Sequence, residues 1–368
     1  MKSPEFRVGI MTGSIWVGDR IRLGALRVFR KHRIRVRELG LQQNPAELSP
    51  RLDGIIAHIG NLKRAEELAA WEAPVVNTSG VYRTPFMPQV LPDNQLIGAQ
   101  AAEHLLSLGS TRMLYLAHSH IFYNQERGLG FRTRCLDAGA QYAGEYLWEK
   151  HTEIPEELKQ AFLELGDGGG VLACDDGVAI RCLEWLQDHP EYPELAVLSA
   201  HDHGTPSDPM ISAVGIPELR WGQEAAIVLL QALHGEEVAA LTLIPPSGVQ
   251  VRGSTSSFQV QDPHLRKAMA FIQDHACAFI QVSDVVEAAG LSRRPLELRM
   301  KEERQQTLLQ AIHQRQLAEA KRLLIETHEP LSEIAYLSGM SGEVQLRRLF
   351  SRYGEDPPGR IRRSGNAA

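Results

Sequence analysis

Short, unbroken apolar runs alternate with stretches of helical periodicity over the first 258 residues. The runs at 8–12, 54–59, 74–77, 113–117, 170–174, 196–200 and 211–214 are expected to be strands. Their lack of a polar face is what parallel strands covered on both sides require. Amphipathic patterns at 19–32, 64–72, 94–108, 126–138, 156–165, 177–188 and 218–234 supply the intervening helices. This βαβα order builds a doubly wound α/β domain, whose ligands sit at the carboxyl ends of the strands. The alternation ends with a run at 249–253 and the polar Ser254-Thr255-Ser256-Ser257. From Asp262-Pro263 onward only helical patterns remain, so a domain boundary is expected at about 256–262.

The helical tail contains an internal repeat. Ser283-Asp284-Val285, closing on Gly290-Leu291-Ser292, aligns with Ser332-Glu333-Ile334, closing on Gly339-Met340-Ser341. Each part suits a helix-turn-helix. The first serine can cap a helix and the acid suits its positive first turn. The glycine permits the left-handed residue that ends it, and the last serine can cap the next helix. Leu296 with Met300, and Leu346 with Phe350, then mark the inner faces of two second helices. The opposite faces hold Arg293, Arg294 and Glu297 in one copy and Glu343, Arg347 and Arg348 in the other. These side chains reach base edges and phosphates in a major groove. Arg352 and Arg362 extend the basic set, and the two motifs are bounded at 283–303 and 332–353. Helix-turn-helix shapes also occur in bundles that bind nothing; two in register, each with arginines on its second helix, favour DNA.

Charge sharpens that picture. The formal net charge of −6 argues against nucleic acid for the chain as a whole. Residues 259–368 nevertheless carry 16 Lys+Arg against 14 Asp+Glu, leaving 23 against 31 for residues 1–258. Six arginines fall within 347–363 against Glu355 and Asp356 alone. A basic module on an acidic protein is a signature of polyanion binding, although a solvated basic helix face looks the same. At 368 residues the chain is long enough for two or three domains. No apolar stretch approaches the ~20 residues of a membrane span. The N-terminus lacks an apolar signal core, and four scattered cysteines suit a reducing compartment, so a cytoplasmic location is expected.

The tail resembles the AraC family of transcription regulators, most specifically through Ile334-Ala335, Gly339-Met340, Leu346, Phe350 and Pro357 to Arg360. The front part resembles the LacI-type, periplasmic-binding-protein-like sensor. It does so through Asp93, Gly98 and Glu103-His104-Leu105, through Arg127-Gly128-Leu129-Gly130-Phe131, and through Val251-Arg252-Gly253-Ser254-Thr255. Together they resemble the XylR-like group. The resemblance implies a type I sensor of two α/β lobes around a cleft at 5–257, then an all-α tandem helix-turn-helix domain at 262–363. It implies a sugar-responsive regulator, an activator of a carbohydrate-utilisation operon answering to xylose or a related sugar. Double-stranded DNA with direct-repeat half-sites, a homodimeric partner and RNA polymerase follow as expected partners. Carried residue by residue, the effector contacts fall on Arg127, Asp93, the Asp175-Asp176 pair, and either His201 or Asp202. Trp16 and Asp19 follow the first strand, where an aromatic ring could stack on a pyranose; a tryptophan is more often simply core.

One competing chemistry has a motif behind it. His118-Ser119-His120 and His201-Asp202-His203 each follow an apolar run, and such pairs can hold a catalytic metal. With Asp93, Asp175 or Asp176 they would make a metal-dependent sugar hydrolase with a helical tail. No H-E-x-x-H, nucleophile elbow or Walker pattern supports an enzyme. The expectation is therefore a regulator with no catalytic residue, no resident metal and no cofactor.

Overall fold

The computed structural model describes residues 6–12, 16–48, 50–201, 211–256, 262–326 and 329–367. The chain divides into two compact units, Met1–Gln250 and Val251–Ala368.

The first unit opens with β1 (Arg7–Met11), α1 (Trp16–Lys31), β2 (Arg35–Glu38), β3 (Gly54–Ala57), α2 (Leu62–Ala69), β4 (Val75–Asn77) and β5 (Gln89–Pro92). Next come α3 (Asn94–Ser107), β6 (Arg112–Ala117), α4 (Phe122–Asp137), β7 (Gln141–Leu147), α5 (Glu156–Leu165) and β8 (Gly170–Ala173). The unit closes with α6 (Asp176–Asp188), β9 (Ala196–Ser199), β10 (Ser212–Val214), α7 (Glu218–Leu233), β11 (Leu241–Ile244) and β12 (Val249–Gln250). These strands form two six-stranded sheets, ordered β11-β5-β4-β3-β1-β2 and β12-β10-β9-β8-β6-β7. Every pairing is parallel except β10 with β12. The chain thus passes between the lobes after β5, after β10 and after β11. It is the doubly wound α/β architecture that the pattern predicts, in the two-lobed form that the family resemblance implies.

Each expected strand and helix of this unit is present, with ends displaced by a few residues. Four strands escape the pattern reading. β2 is a mostly exposed sheet edge and β7 a partly exposed one, so neither carries an unbroken apolar run. β11 is likewise an edge strand with mostly exposed side chains. β5 is fully buried, but it begins with Gln89 and ends with Pro92, which hide it among loop residues.

The two lobes repeat one packing device. α3 enters the second lobe and crosses α4 so closely that a Cβ on Gly98 would lie 2.1 Å from the Arg127 carbonyl oxygen. One on Gly130 would lie 2.0 Å from that of Gln95. α7 returns to the first lobe and meets α1 in the same way. Cβ atoms on Gly24 and Gly222 would lie 2.1 Å and 1.9 Å from the carbonyl oxygens of Leu219 and Ile21. No real side chain tolerates those separations, so glycine is required for the helices to touch backbone to backbone.

The second unit is helical throughout its described residues. It comprises α8 (Gly253–Ser256), α9 (Pro263–His275), α10 (Val282–Ala289), α11 (Arg293–Arg304), α12 (Leu308–Glu326), α13 (Leu331–Leu337), α14 (Glu343–Arg352) and α15 (Pro358–Ala367). Two apolar cores build it. Leu265, Ile272, Val285, Leu296, Met300 and Ile312 belong to the first, and Leu317, Leu324, Ile334, Met340, Leu346 and Phe350 to the second. α10–α11 and α13–α14 are the two helix-turn-helix units, with Gly290 (φ 62°) and Gly339 (φ 71°) left-handed at the turns.

The capping assignments need correction. Neither Ser283 nor Ser332 is a cap, because each helix starts one residue earlier, after Gln281 and Pro330. The Asp284 carboxylate accepts the Gln281 N–H at 2.7 Å and so closes the first helix start. Ser292 stands at the cap position of α11 but makes no capping bond through its side chain. Gly342 takes that position in α14, while Ser341 donates to Gln345 Oε1 through both its N–H (2.7 Å) and its hydroxyl (2.8 Å). Among the described residues, no helix is long and apolar enough to cross a membrane.

The glycine crossings are testable. Gly130→Ala and Gly222→Ala should each lower stability by about 1–3 kcal/mol in urea denaturation, because overpacking forces the backbone apart. Gly60→Ala, where a new Cβ meets nothing within 4 Å, should leave the midpoint unchanged.

Candidate functional site

Both sheets direct the carboxyl ends of their strands toward one pocket of about 200 Å³. From the first lobe it is lined by His58, which follows β3, and by Ser79 and Gly80, which follow β4. The second lobe adds Tyr123 and Arg127 of α4, Asp175 after β8 and His201 after β9. Asn94 and Trp221 come from the two helices that cross between lobes, α3 and α7.

Arg127 is buried and prealigned. Its Nε donates to Asn94 Oδ1 at 3.0 Å and its Nη1 to the Cys174 carbonyl at 2.6 Å. The guanidinium also lies over the Tyr123 ring, 4.9 Å from its centroid. Nη2 has no acceptor among the described residues, so the fork keeps donors for a ligand. The Gly98 and Gly130 crossing sets the distance between the helices that carry Asn94 and Arg127.

Asp175 caps α6, accepting the Val178 N–H at 2.9 Å, and its other oxygen meets His118 Nε2 at 3.0 Å. Burial pushes its carboxyl up. The hydrogen bonds from His118 and Val178 outweigh that and hold it at about 2. At neutral pH it is an acceptor only. His201 Nε2 lies 3.3 Å from the buried Glu218 carboxylate of α7, which also meets Arg20 Nε at 3.0 Å. This chain of polar contacts runs from the end of β9, through the crossing into α7, to α1. Trp221 donates its indole N–H to the Val90 carbonyl at 2.6 Å, which fixes its ring at the pocket wall.

The structure thus brings Arg127, Asp175 and His201 together at the pocket. Two expected residues stand elsewhere. Asp93 caps α3 by accepting the Leu96 N–H at 3.0 Å, and its neighbour Asn94 supplies the lining group instead. Asp19 is exposed and bonds Arg22 at 3.2 Å. Trp16 begins α1, with its side chain outside what the structure describes, and Asp202 and His203 lie outside the described residues. Tyr123, Asn94, Trp221 and His58 were missed. Tyr123 had a signal, since it precedes Arg127 by one helical turn.

The first of the two H-x-H pairs loses its geometry, while the second has Asp202 and His203 outside the described residues. His120 is exposed, while His118, Cys174 and Asp175 are the only group of potential metal-ligating atoms close together among the described residues. Burial raises the Cys174 thiol to about 12, and the Arg127 guanidinium is bonded to the carbonyl of the same residue. A fixed guanidinium at this spot opposes the approach of a second cation.

In the second unit, Arg293 and Arg294 are exposed at the start of α11, and Arg347, Arg348 and Arg352 are exposed along α14. The two acids are already engaged. Glu297 accepts the N–H of Leu308 at 3.3 Å, at the start of α12, and Glu343 holds Arg347 at 2.6 Å. Arg362 donates to the Glu329 carbonyl at 2.5 Å.

Comparison with known proteins follows these two units. The chain matches the family model of a periplasmic binding protein-like domain over residues 102–255 and that of a helix-turn-helix domain over 285–364. It is similar to the xylose operon regulatory protein of Escherichia coli (strain K12), 29% identical over 83% of this chain and 82% of that one. The Haemophilus influenzae protein of the same name is 27% identical over 84% and 85%. Among solved structures, the xylose-binding transcription activator XylR superposes with a TM-score of 0.71 at 23% identity over 99% of both chains. The regulator CcpA of Lactococcus lactis covers 68% of this chain and 99% of its own, with a TM-score of 0.55 and 21% identity.

His58 gives the pocket a pH signature. Burial pushes its imidazole down to about 4, against the opposing hydrogen bond to Thr78. The unfolded chain then binds a proton that the folded one refuses, so stability is full above about pH 6.5 and falls as the pH drops toward 4. The loss should reach about 3 kcal/mol at most. His58→Asn should flatten that part of a stability–pH profile measured by urea denaturation.

Proposed function

We propose that this chain, an XylR-like transcription regulator with a periplasmic-binding-protein-like sensor and an AraC-type DNA-binding domain, senses a neutral monosaccharide between its sensor lobes. It is a regulator and not an enzyme. The observation that carries the sensing is Arg127, buried, aligned by Asn94 and the Cys174 carbonyl, and left with donors at the meeting point of two sheets. Drug-sized ligands occupy roughly 300–1,000 Å³, so this smaller space suits a single sugar ring. Asp175 and His201 add polar partners, and Trp221 and Tyr123 offer rings for the apolar face of a pyranose. The relatives named as xylose operon regulators make a pentose the first candidate. Activation of a carbohydrate-utilisation operon, a homodimer, contact with RNA polymerase and a cytoplasmic setting complete the reading.

A thermal-shift screen of pentoses and hexoses tests the sensor, since a ligand of the native state raises the melting temperature. Arg127→Ala should weaken the active sugar by about 1–3 kcal/mol, roughly 5–150-fold in Kd. Unchanged affinity would remove Arg127 from the site.

On DNA, α11 and α14 should read successive major grooves of one duplex, with contacts repeating at about 10 bp. Arg348→Ala should relax base preference in one half-site by about 1–3 kcal/mol, read by binding to a panel of base-substituted duplexes. Glu297→Ala should instead leave base preference intact and lower the stability of the helical unit, because Glu297 serves the start of α12. A shift in base preference would return Glu297 to the DNA-reading set.

A further inference from the structure

The two helix-turn-helix units share one helix. α12 places Leu308, Ala311 and Ile312 in the first apolar core and Leu317, Ala320 and Leu324 in the second. Gln316 stands at the seam between them, buried at 4% exposure. Its Nε2 donates to the carbonyl of Ala276 at 3.0 Å and to that of Gly339 at 3.0 Å. Ala276 ends α9 and belongs to the first core; Gly339 is the left-handed turn that aims α14. The two backbones are already in contact, since a Cβ on Gly339 would lie 2.6 Å from the same Ala276 oxygen and 2.7 Å from Cys277 Cα. A primary amide has two N–H donors, and here both are spent across one seam. Burying an amide is costly unless it is bonded, so an apolar side chain at this helix position would be the simpler solution.

We propose that Gln316 is the positioning residue that fixes the separation and angle of the two DNA-reading helices, and with them the phasing of the half-sites this protein accepts. The idea rests on the DNA-binding reading above and extends it to one residue that touches no DNA. Other contacts span the seam, but they are softer. His313 reaches the Tyr353 hydroxyl at 3.2 Å, and the Phe279 and Tyr336 rings meet at 5.3 Å with both residues largely exposed. Gln316 joins the end of α9 to the turn ahead of α14 by hydrogen bonds from within the buried seam.

The test uses the full chain and duplexes selected from random DNA by the wild-type protein, with the half-sites then re-spaced in single base-pair steps. Two rigidly linked units bind the matched spacing about tenfold or more better than one changed by two or three base pairs. Gln316→Leu removes the donors and should level that profile to within about twofold, while affinity for an isolated half-site stays near wild type. A second measurement needs no DNA. Spin labels at Leu298→Cys and Val344→Cys, exposed on α11 and α14, report the distance between the helices in a Cys277→Ala background, the other cysteines being buried. The distribution should be narrow with Gln316 and broad with Gln316→Leu. A variant that only melts earlier, keeping the spacing profile and the narrow distribution, overturns the proposal. So does a broad distribution in the protein that retains Gln316, which keeps the test open if Gln316→Leu fails to fold. Failure to select any DNA would defeat the DNA-binding reading instead, while the label distances would still judge Gln316.

Discussion

Backbone-to-backbone contact between paired helices is the constraint from which the sensor follows. Parallel strands need crossover helices, and two of those crossovers here also carry the chain from one lobe to the other. Each such helix is pinned on arrival, α3 by Gly98 and Gly130 against α4, and α7 by Gly24 and Gly222 against α1. The pinned helices then present their first turns at the strand ends, which is where Asn94 and Trp221 stand, with Arg127 of α4 bonded to Asn94. A looser crossing would carry Asn94 away from Arg127 and leave a buried guanidinium short of an acceptor. That is expensive in a low-dielectric site.

Most of the fold was legible because burial on both faces leaves an unmistakable run of apolar residues. β1, β3, β4, β6, β8, β9 and β10 all announce themselves in this way. Edge strands cannot, since half of each remains in water, and β2, β7 and β11 read as loop for that reason. The helix-turn-helix pair was legible from its glycines, where the left-handed backbone leaves little choice of residue. Its serines misled. A helix start can be closed by an aspartate reaching back, as Asp284 does, and the sequence does not say which polar residue near a start makes the bond.

The pocket was legible only in part. Arg127 and Asp175 stand in motifs whose spacing survives, and His201 follows a clear strand. Asp93 shows the limit of such reading. An aspartate ahead of a helical pattern is a cap by ordinary local rules, and it does that job here while the next residue turns to the pocket. Trp221 was invisible for a different reason: a buried tryptophan on an amphipathic helix looks like core, and it is core along one edge. The engagement of Glu297 with α12 could not be read at all, because it joins residues of separate helices.

How the pocket can act as a switch follows from where its groups are anchored. A ligand shifts an equilibrium between conformations only by the difference in its affinity for them. Arg127, Asn94, Asp175 and His118 are bonded to one another or to the Cys174 carbonyl and Val178 N–H, on elements that pack on the second sheet. A sugar held by these alone would bind equally well however the first lobe stood. The differential part must come from groups anchored elsewhere, His58 and Ser79 on the first lobe and Trp221 on the crossing helix. His201 belongs with them, since its ring is tied through Glu218 to α7 and Arg20 of α1. On the proposed sensing role, affinity and response are therefore separable in this site: Arg127 would supply grip, and the first-lobe and crossing groups would convert grip into a change of state. The same separation would hold in the helical unit under the proposals above, with the arginines of α11 and α14 supplying contact and the buried seam at Gln316 deciding which arrangement of DNA can be contacted at once.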